Sequence, residues 1–280
     1  MSKRNIKNHG KRKPHGKQVS LTPDKGTNVQ RKHKDTLFQF IFRDRKKLLQ
    51  LYNALNQSGY KDEESLQIIT LENVVYLGYK NDISFLVDMT LYLAEHQGSW
   101  NPNMPLRGVL YFARLYRNYI EENEYNLYGT KRLELPAPRY VIFYNGKEKR
   151  PEREILKLSD SFKETEKDRA SAEDEKDRYL PPVAMECKAL VLNINYGNNK
   201  TFLEMCRPLM DYSLFVHTIR ENISAGHEPS EAVNLAVDTC ISRGILTDVL
   251  KGHRGEVVAM FLEDYDEELY HKMVRKEGYE

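Results

Sequence analysis

Long hydrophobic runs are missing from this chain of 280 residues. No stretch approaches the roughly 20 apolar residues that a helix needs to cross a bilayer. The basic N-terminus is followed by no apolar segment, which argues against a secretory signal. Cysteine is scarce. Cys187, Cys206 and Cys240 are odd in number and lack metal-ligand spacing, so they read as reduced and buried rather than as a disulfide framework. The eight histidines are scattered and make no zinc-like cluster. Internal repeats are absent, as is any helix-turn-helix or zinc-finger pattern that would read a DNA sequence. Together these absences point to a cytoplasmic protein. Hydrophobic residues make up 40% of the chain, enough for one substantial core.

Charge is present in quantity and unevenly placed. Residues 1–34 hold 11 Lys or Arg against Asp24 alone, a net of +10, while the remaining 32 basic and 40 acidic residues leave the body at −8. Such an arm can neutralise nucleic-acid phosphates without reading sequence, or serve as a disordered solubilising tail. An acidic body fits a metal site and argues against DNA binding over the whole surface.

The pattern of apolar residues sets the element order. Leu37, Phe40, Ile41, Leu48, Leu51, Tyr52 and Leu55 follow the helical period and predict one helix over residues 37–55, capped by Asp35 or Thr36. Strands are expected near residues 68–77, 82–88 and 91–97. Pro105 starts a helix that runs to about Ile120, and a strand over 138–144 ends at the Asn145-Gly146 turn. Leu156-Lys157-Leu158 is a further short strand or coil. Twelve of the residues from Lys163 to Arg178 are charged, which makes that segment a solvated loop or exposed helix. A strand over 189–196 closes at Gly197, and helices follow at 209–219, 232–243 and 256–270. This order gives an α/β fold, a mixed sheet with helical cover. The chain divides into a disordered basic arm (1–34), a core (35–200) and a helical C-terminal region (201–280) packed on or beside that core.

The segment from Asn81 to Gln97 reads as a two-stranded hairpin. With the turn at Met89-Thr90, Asp88 pairs with Leu91 and Asp82 falls opposite Gln97. Asp82, Ser84, Glu95 and Gln97 then share one face, and Ile83, Phe85 and Val87 the other. Asp82 and Glu95 sit diagonally, close enough for both carboxylates to reach one divalent cation. Asp88 lies at the turn end, too far along the strand to share it. The backbone carbonyl of His96 can add a ligand, while its side chain points to the other face. Gln97 can orient a water or touch a phosphate, but its amide brings no charge. Arg107, in the first turn of the next helix, either binds a phosphate or pairs with Glu95 or Asp82. The bland alternative is that Asp82 closes the turn and Glu95 pairs with a basic residue. Tyr111, Tyr116 and Tyr119 read as core or groove-lining residues.

Asp82 … Glu95-His96-Gln97 resembles the PD-(D/E)XK nuclease superfamily in its Glu-X-Gln variant. Lys80-Asn81-Asp82-Ile83-Ser84-Phe85, Leu93-Ala94-Glu95-His96-Gln97 and Asn101-Pro102-Asn103-Met104-Pro105-Leu106-Arg107 look like the Rpn family of recombination-promoting nucleases and putative transposases. Tyr140 to Gly146, Leu190 to Gly197 and Tyr265-Asp266-Glu267-Glu268 extend the likeness over about residues 35–280. The resemblance implies a restriction-endonuclease-like core, Mg²⁺- or Mn²⁺-dependent hydrolysis of DNA and a tie to recombination or mobile elements. It implies Asp82 and Glu95 as metal ligands, with Gln97 in place of the superfamily's lysine. An additional acidic residue on the first helix would be Asp35 or Asp44, and neither matches cleanly. Gly98 stands where relatives commonly show serine. A catalytically inactive DNA-binding or protein-interaction factor on the same fold is the competing reading, and self-association is left open.

Overall fold

The computed structural model describes residues 37–61, 67–69, 82–87, 89–163 and 184–262, with residues 67–69 and 82 described by backbone alone. The basic arm, most of the first expected strand, Asp35, Asp88 and the charged segment after Lys163 lie outside the described residues. No helix among the described residues is long and apolar enough to cross a membrane.

The first expected helix is two. Helix α1 (Leu37–Phe42) ends before Asp44, and α2 (Arg45–Asn56) begins after it. Asp44 is extended, with φ −69° and ψ 119°, and its carboxylate accepts from the Lys47 amide at 3.0 Å. The apolar periodicity runs through both helices, so it hides the break, and the break gives Asp44 a capping role that accounts for its carboxylate.

Strands β1 (Gln67–Ile69), β2 (Asp82–Val87) and β3 (Thr90–Gln97) form an antiparallel meander. Helix α3 (Met104–Glu122) then crosses over to β4 (Ala137–Tyr144), which lies parallel to β3. Strand β5 (Arg153–Lys157) forms the far edge, antiparallel to β6 (Lys188–Asn193), and β6 runs parallel to β4. The sheet order is β1-β2-β3-β4-β6-β5. Helices α4 (Lys200–Met205), α5 (Arg207–Ser224), α6 (Pro229–Ser242) and α7 (Thr247–Gly252) follow, then a helical stretch over residues 254–262. Gly244, at φ +72°, ends α6 in a left-handed turn where glycine carries no steric penalty.

Both sheet faces are covered, which is why β3 and β4 are apolar on consecutive residues rather than alternate ones. On one face Phe85, Tyr92, Ala94, Val141 and Phe143 pack with α1, α2, α5 and α6 through Phe38, Leu51, Phe215 and Val237. On the other, Leu91, Leu93, Tyr140, Ile142 and Val191 pack under α3 through Met104, Tyr111, Phe112 and Leu115. The C-terminal helices therefore share one core with the sheet, and Lys34–Glu280 forms one compact unit.

Hairpin register differs from the expected one by two residues. Asp82 pairs with Glu95 and Val87 with Thr90, so two residues separate the paired strands instead of the expected turn at Met89-Thr90. Met89 adopts φ +56°, a left-handed conformation that a two-residue hairpin demands and that methionine rarely takes. Because side chains alternate with period two, a shift of two keeps every residue on its expected face.

Candidate functional site

The corrected register brings Asp82 from a diagonal to a directly opposed position. Strand β3 turns the Gln97 carbonyl toward β4, where it accepts from the Asn145 amide at 3.1 Å. Carbonyl directions alternate along a strand, so those of Ala94 and His96 point toward β2. Asp82 and Glu95 are consequently a non-hydrogen-bonded pair, the type in which facing Cα atoms come closest, at roughly 4.5 Å. Position 82 shares the α3-covered face with Glu95 and Gln97, and the His96 carbonyl points along the sheet toward the start of β2.

Glu95 is fully buried, at 0% exposure. Its Oε1 accepts from the Tyr140 hydroxyl at 2.7 Å, and its Oε2 accepts from the Gln97 amide at 3.2 Å. The Arg107 guanidinium stands 3.2 Å from the same Oε2, with its side chain 18% exposed. Arg107 also donates to the Tyr111 hydroxyl at 3.0 Å. Of the two roles expected for Arg107, this arrangement is the ion pair with Glu95. A carboxylate so deep in the fold needs a matched charge and filled hydrogen bonds, and three elements converge to supply them.

Gly108 makes that convergence sterically feasible. A Cβ there would stand 2.5 Å from Tyr140 Cε1, so only glycine lets α3 lie this close to β4. The sequence pattern assigned no role at this site to Gly108 or to the Tyr140 hydroxyl. A glycine in the middle of a strongly helical pattern is the signal that marks such a close approach.

His96 faces the opposite layer. Its ring stacks on Phe38 at 5.3 Å, and its Nε2 lies 3.1 Å from Asn145 Oδ1 and 2.9 Å from the Tyr212 hydroxyl. Burial lowers its pKa from 6.5 to about 4, opposed by the Asn145 hydrogen bond and reinforced by the nearby charge of Arg220. The imidazole is thus a neutral core group, on the face that its strand position predicted. Tyr111 is buried, and Tyr116 donates to the Pro136 carbonyl at 2.7 Å, so both serve the packing of α3. Cys206 and Cys240 are buried thiols and Cys187 is half-buried. Burial raises all three pKa values, that of Cys206 to about 12, which makes them poor nucleophiles.

Among the described residues no group of three or more His, Cys, Asp or Glu is placed to hold a metal ion. The side chain of Asp82 is not part of that set. What the described groups offer is oxygen: the Glu95 carboxylate, the Gln97 amide and the His96 carbonyl, opposite the backbone of Asp82. That donor chemistry fits a hard divalent cation such as Mg²⁺ or Mn²⁺ better than zinc. Arg107 provides the positive charge beside Glu95 in this arrangement, so a cation bound at Oε2 would have to share or replace that contact.

Compared with known proteins, the chain matches no family model, no curated protein and no solved structure.

Proposed function

We propose that this chain is a metal-dependent endonuclease that hydrolyses DNA phosphodiester bonds on the face formed by Asp82, Glu95 and Gln97. The observation that carries the reading is the direct, non-hydrogen-bonded opposition of Asp82 and Glu95. A helix, an antiparallel meander, a helix and then a strand parallel to the last of the meander are also the order expected for a restriction-endonuclease-like core. On this reading Asp82, Glu95 and the His96 carbonyl would hold Mg²⁺ or Mn²⁺, which when bound supplies an activated water and neutralises phosphoryl charge. Tyr140 fixes the rotamer of Glu95 through Oε1. Gln97, already within hydrogen-bond reach of Glu95, orients a water or a phosphate oxygen with an amide in place of an ammonium. Arg107, 3.2 Å from Glu95 Oε2, would pass its guanidinium from that carboxylate to a substrate phosphate.

Cleavage of plasmid and single-stranded DNA with Mg²⁺, Mn²⁺ or EDTA tests the proposal. Asp82→Ala and Glu95→Ala should each lose nearly all turnover, and Gln97→Ala should lose less because no charge is removed. Cleavage that survives chelation, or that all three variants retain, would refute it.

A second reading has an observation of its own. Both Glu95 oxygens are already bonded and the group is sealed from solvent, as in a structural ion pair of a catalytically silent DNA-binding or protein-interaction factor. Absence of cleavage together with absence of Mn²⁺ binding in purified protein would select it.

A further inference from the structure

A polar cavity of about 60 Å³ lies at the carboxyl ends of the parallel strands β4 and β6, on the face opposite Glu95. Ligands of open α/β sheets bind in crevices outside the carboxyl ends of the strands. Asn145 and Ser213 form its floor and are 4% and 2% exposed. Ser213, His217 and Arg220 come from one face of α5, at spacings of four and three residues. Asn195 and Tyr196, in the loop after β6, complete the mouth, where Tyr196 is 50% exposed.

Two features of this cavity point to a ligand. Ser213 Oγ is buried and has no hydrogen-bond partner among the described residues. A buried hydroxyl left so is destabilising, and a bound acceptor removes that penalty. The Arg220 guanidinium, meanwhile, is held in one orientation: it donates to Asn195 Oδ1 at 2.5 Å and to the Asn145 carbonyl. These two bonds hold the guanidinium at the cavity wall, and its planar fork of donors matches a tetrahedral oxyanion. A single water needs only about 10–15 Å³ of such space, so the volume admits an ion with several oxygens. Glu221 does not line the cavity and stands 3.3 Å from His217 Nε2. The Tyr196 ring stacks on His217 at 4.7 Å and presents its outer side to solvent.

We propose that this cavity binds a phosphate oxyanion, held by the Arg220 guanidinium and the Ser213 hydroxyl. The phosphate comes either from a nucleic-acid strand, whose base or sugar the Tyr196 ring would meet, or from free phosphate. The inference stands on the cavity's own residues and does not require the Glu95 face to be active.

Titration of the full chain in EDTA with inorganic phosphate and, separately, with a short single-stranded DNA tests it, by calorimetry and by amide chemical shifts. Binding should move the amides of Asn195, Tyr196 and Ser213. Ser213→Ala, which removes one hydroxyl with almost no change of shape, should weaken binding about three- to tenfold, and Arg220→Gln by at least about tenfold. Amide spectra of each variant establish that it is folded. The same shifts with DNA but not with inorganic phosphate would assign the phosphate to a nucleic-acid strand, and the converse to a free ion. If neither ligand binds, or if Ser213→Ala binds both as the wild type does, the proposal is overturned. Because DNA cleavage is not the readout, a chain that binds phosphate here without cleaving DNA rejects the nuclease reading alone.

Discussion

Adjacent residues on β3 meet opposite electrostatic conditions because the strand is buried on both faces. Glu95 is enclosed by donors and a guanidinium, whereas His96, one position along, is enclosed by aromatic rings and neutral amides. For His96 the consequence is a defined pH dependence. Its folded pKa of about 4 lies below the unfolded 6.5, so between those values the unfolded chain takes up a proton that the folded chain does not. Stability is therefore fully present above about pH 6.5 and falls as pH drops toward 4, by about 3 kcal/mol in total. Urea midpoints at pH 7 and pH 5 should differ in the wild type. His96→Gln should be less stable at pH 7 and show a smaller difference between the two; an unchanged difference would mean that His96 is not the group responsible.

At the level of elements, the contact between α3 and β4 controls the candidate site. Gly108 sits against the Tyr140 ring, and Tyr140 in turn holds Glu95 Oε1. Gly108→Ala gains helix propensity, worth roughly 1 kcal/mol, yet forces a methyl group into a 2.5 Å approach to the ring. Overpacking of this kind costs about 1–3 kcal/mol. The net effect should be a lower melting temperature, and, if the nuclease reading holds, a loss of cleavage larger than the loss of folded protein, because the Tyr140 hydroxyl is displaced from Glu95. A variant as stable and as active as the wild type would show that α3 shifts freely over β4. Helices α1 and α2 teach a related lesson: a continuous apolar stripe predicted one helix, and the carboxylate of Asp44 made two by bonding the Lys47 amide.

For the whole molecule, charge is the property that a truncation can separate from the fold. The candidate site and the polar cavity both lie within Lys34–Glu280, while the net +10 belongs to residues 1–34. Phosphate contacts made by such an arm add affinity with little sequence choice and a steep salt dependence. Deleting residues 1–34 should weaken DNA binding and flatten its salt dependence while leaving single-turnover cleavage at saturating DNA nearly unchanged. Filter-binding titrations of the two forms across a salt series would check this, and superimposable curves would leave the arm without a part in DNA contact.

Local periodicity determined much of what was legible in advance. Alternation along residues 82–97 placed Asp82, Glu95 and Gln97 on one face and sent His96 to the other, and the spacing of apolar residues, proline and glycine set the order of the strands and longer helices, but not the break at Asp44 or the short helices α4 and α7. Register was not legible, because a shift of two preserves every face and the turn at Met89 carries no glycine or asparagine to announce it. The pairing of Arg107 with Glu95 was one of two roles open for that arginine, but the Tyr140 hydroxyl on Glu95 was not legible, nor was the convergence of Asn145, Ser213 and Arg220 around one cavity. Those groupings join residues from separate elements, and their distances follow from how closely α3 and α5 settle on the sheet. A sequence pattern reports the period of each element, whereas the packing between elements decides which side chains meet.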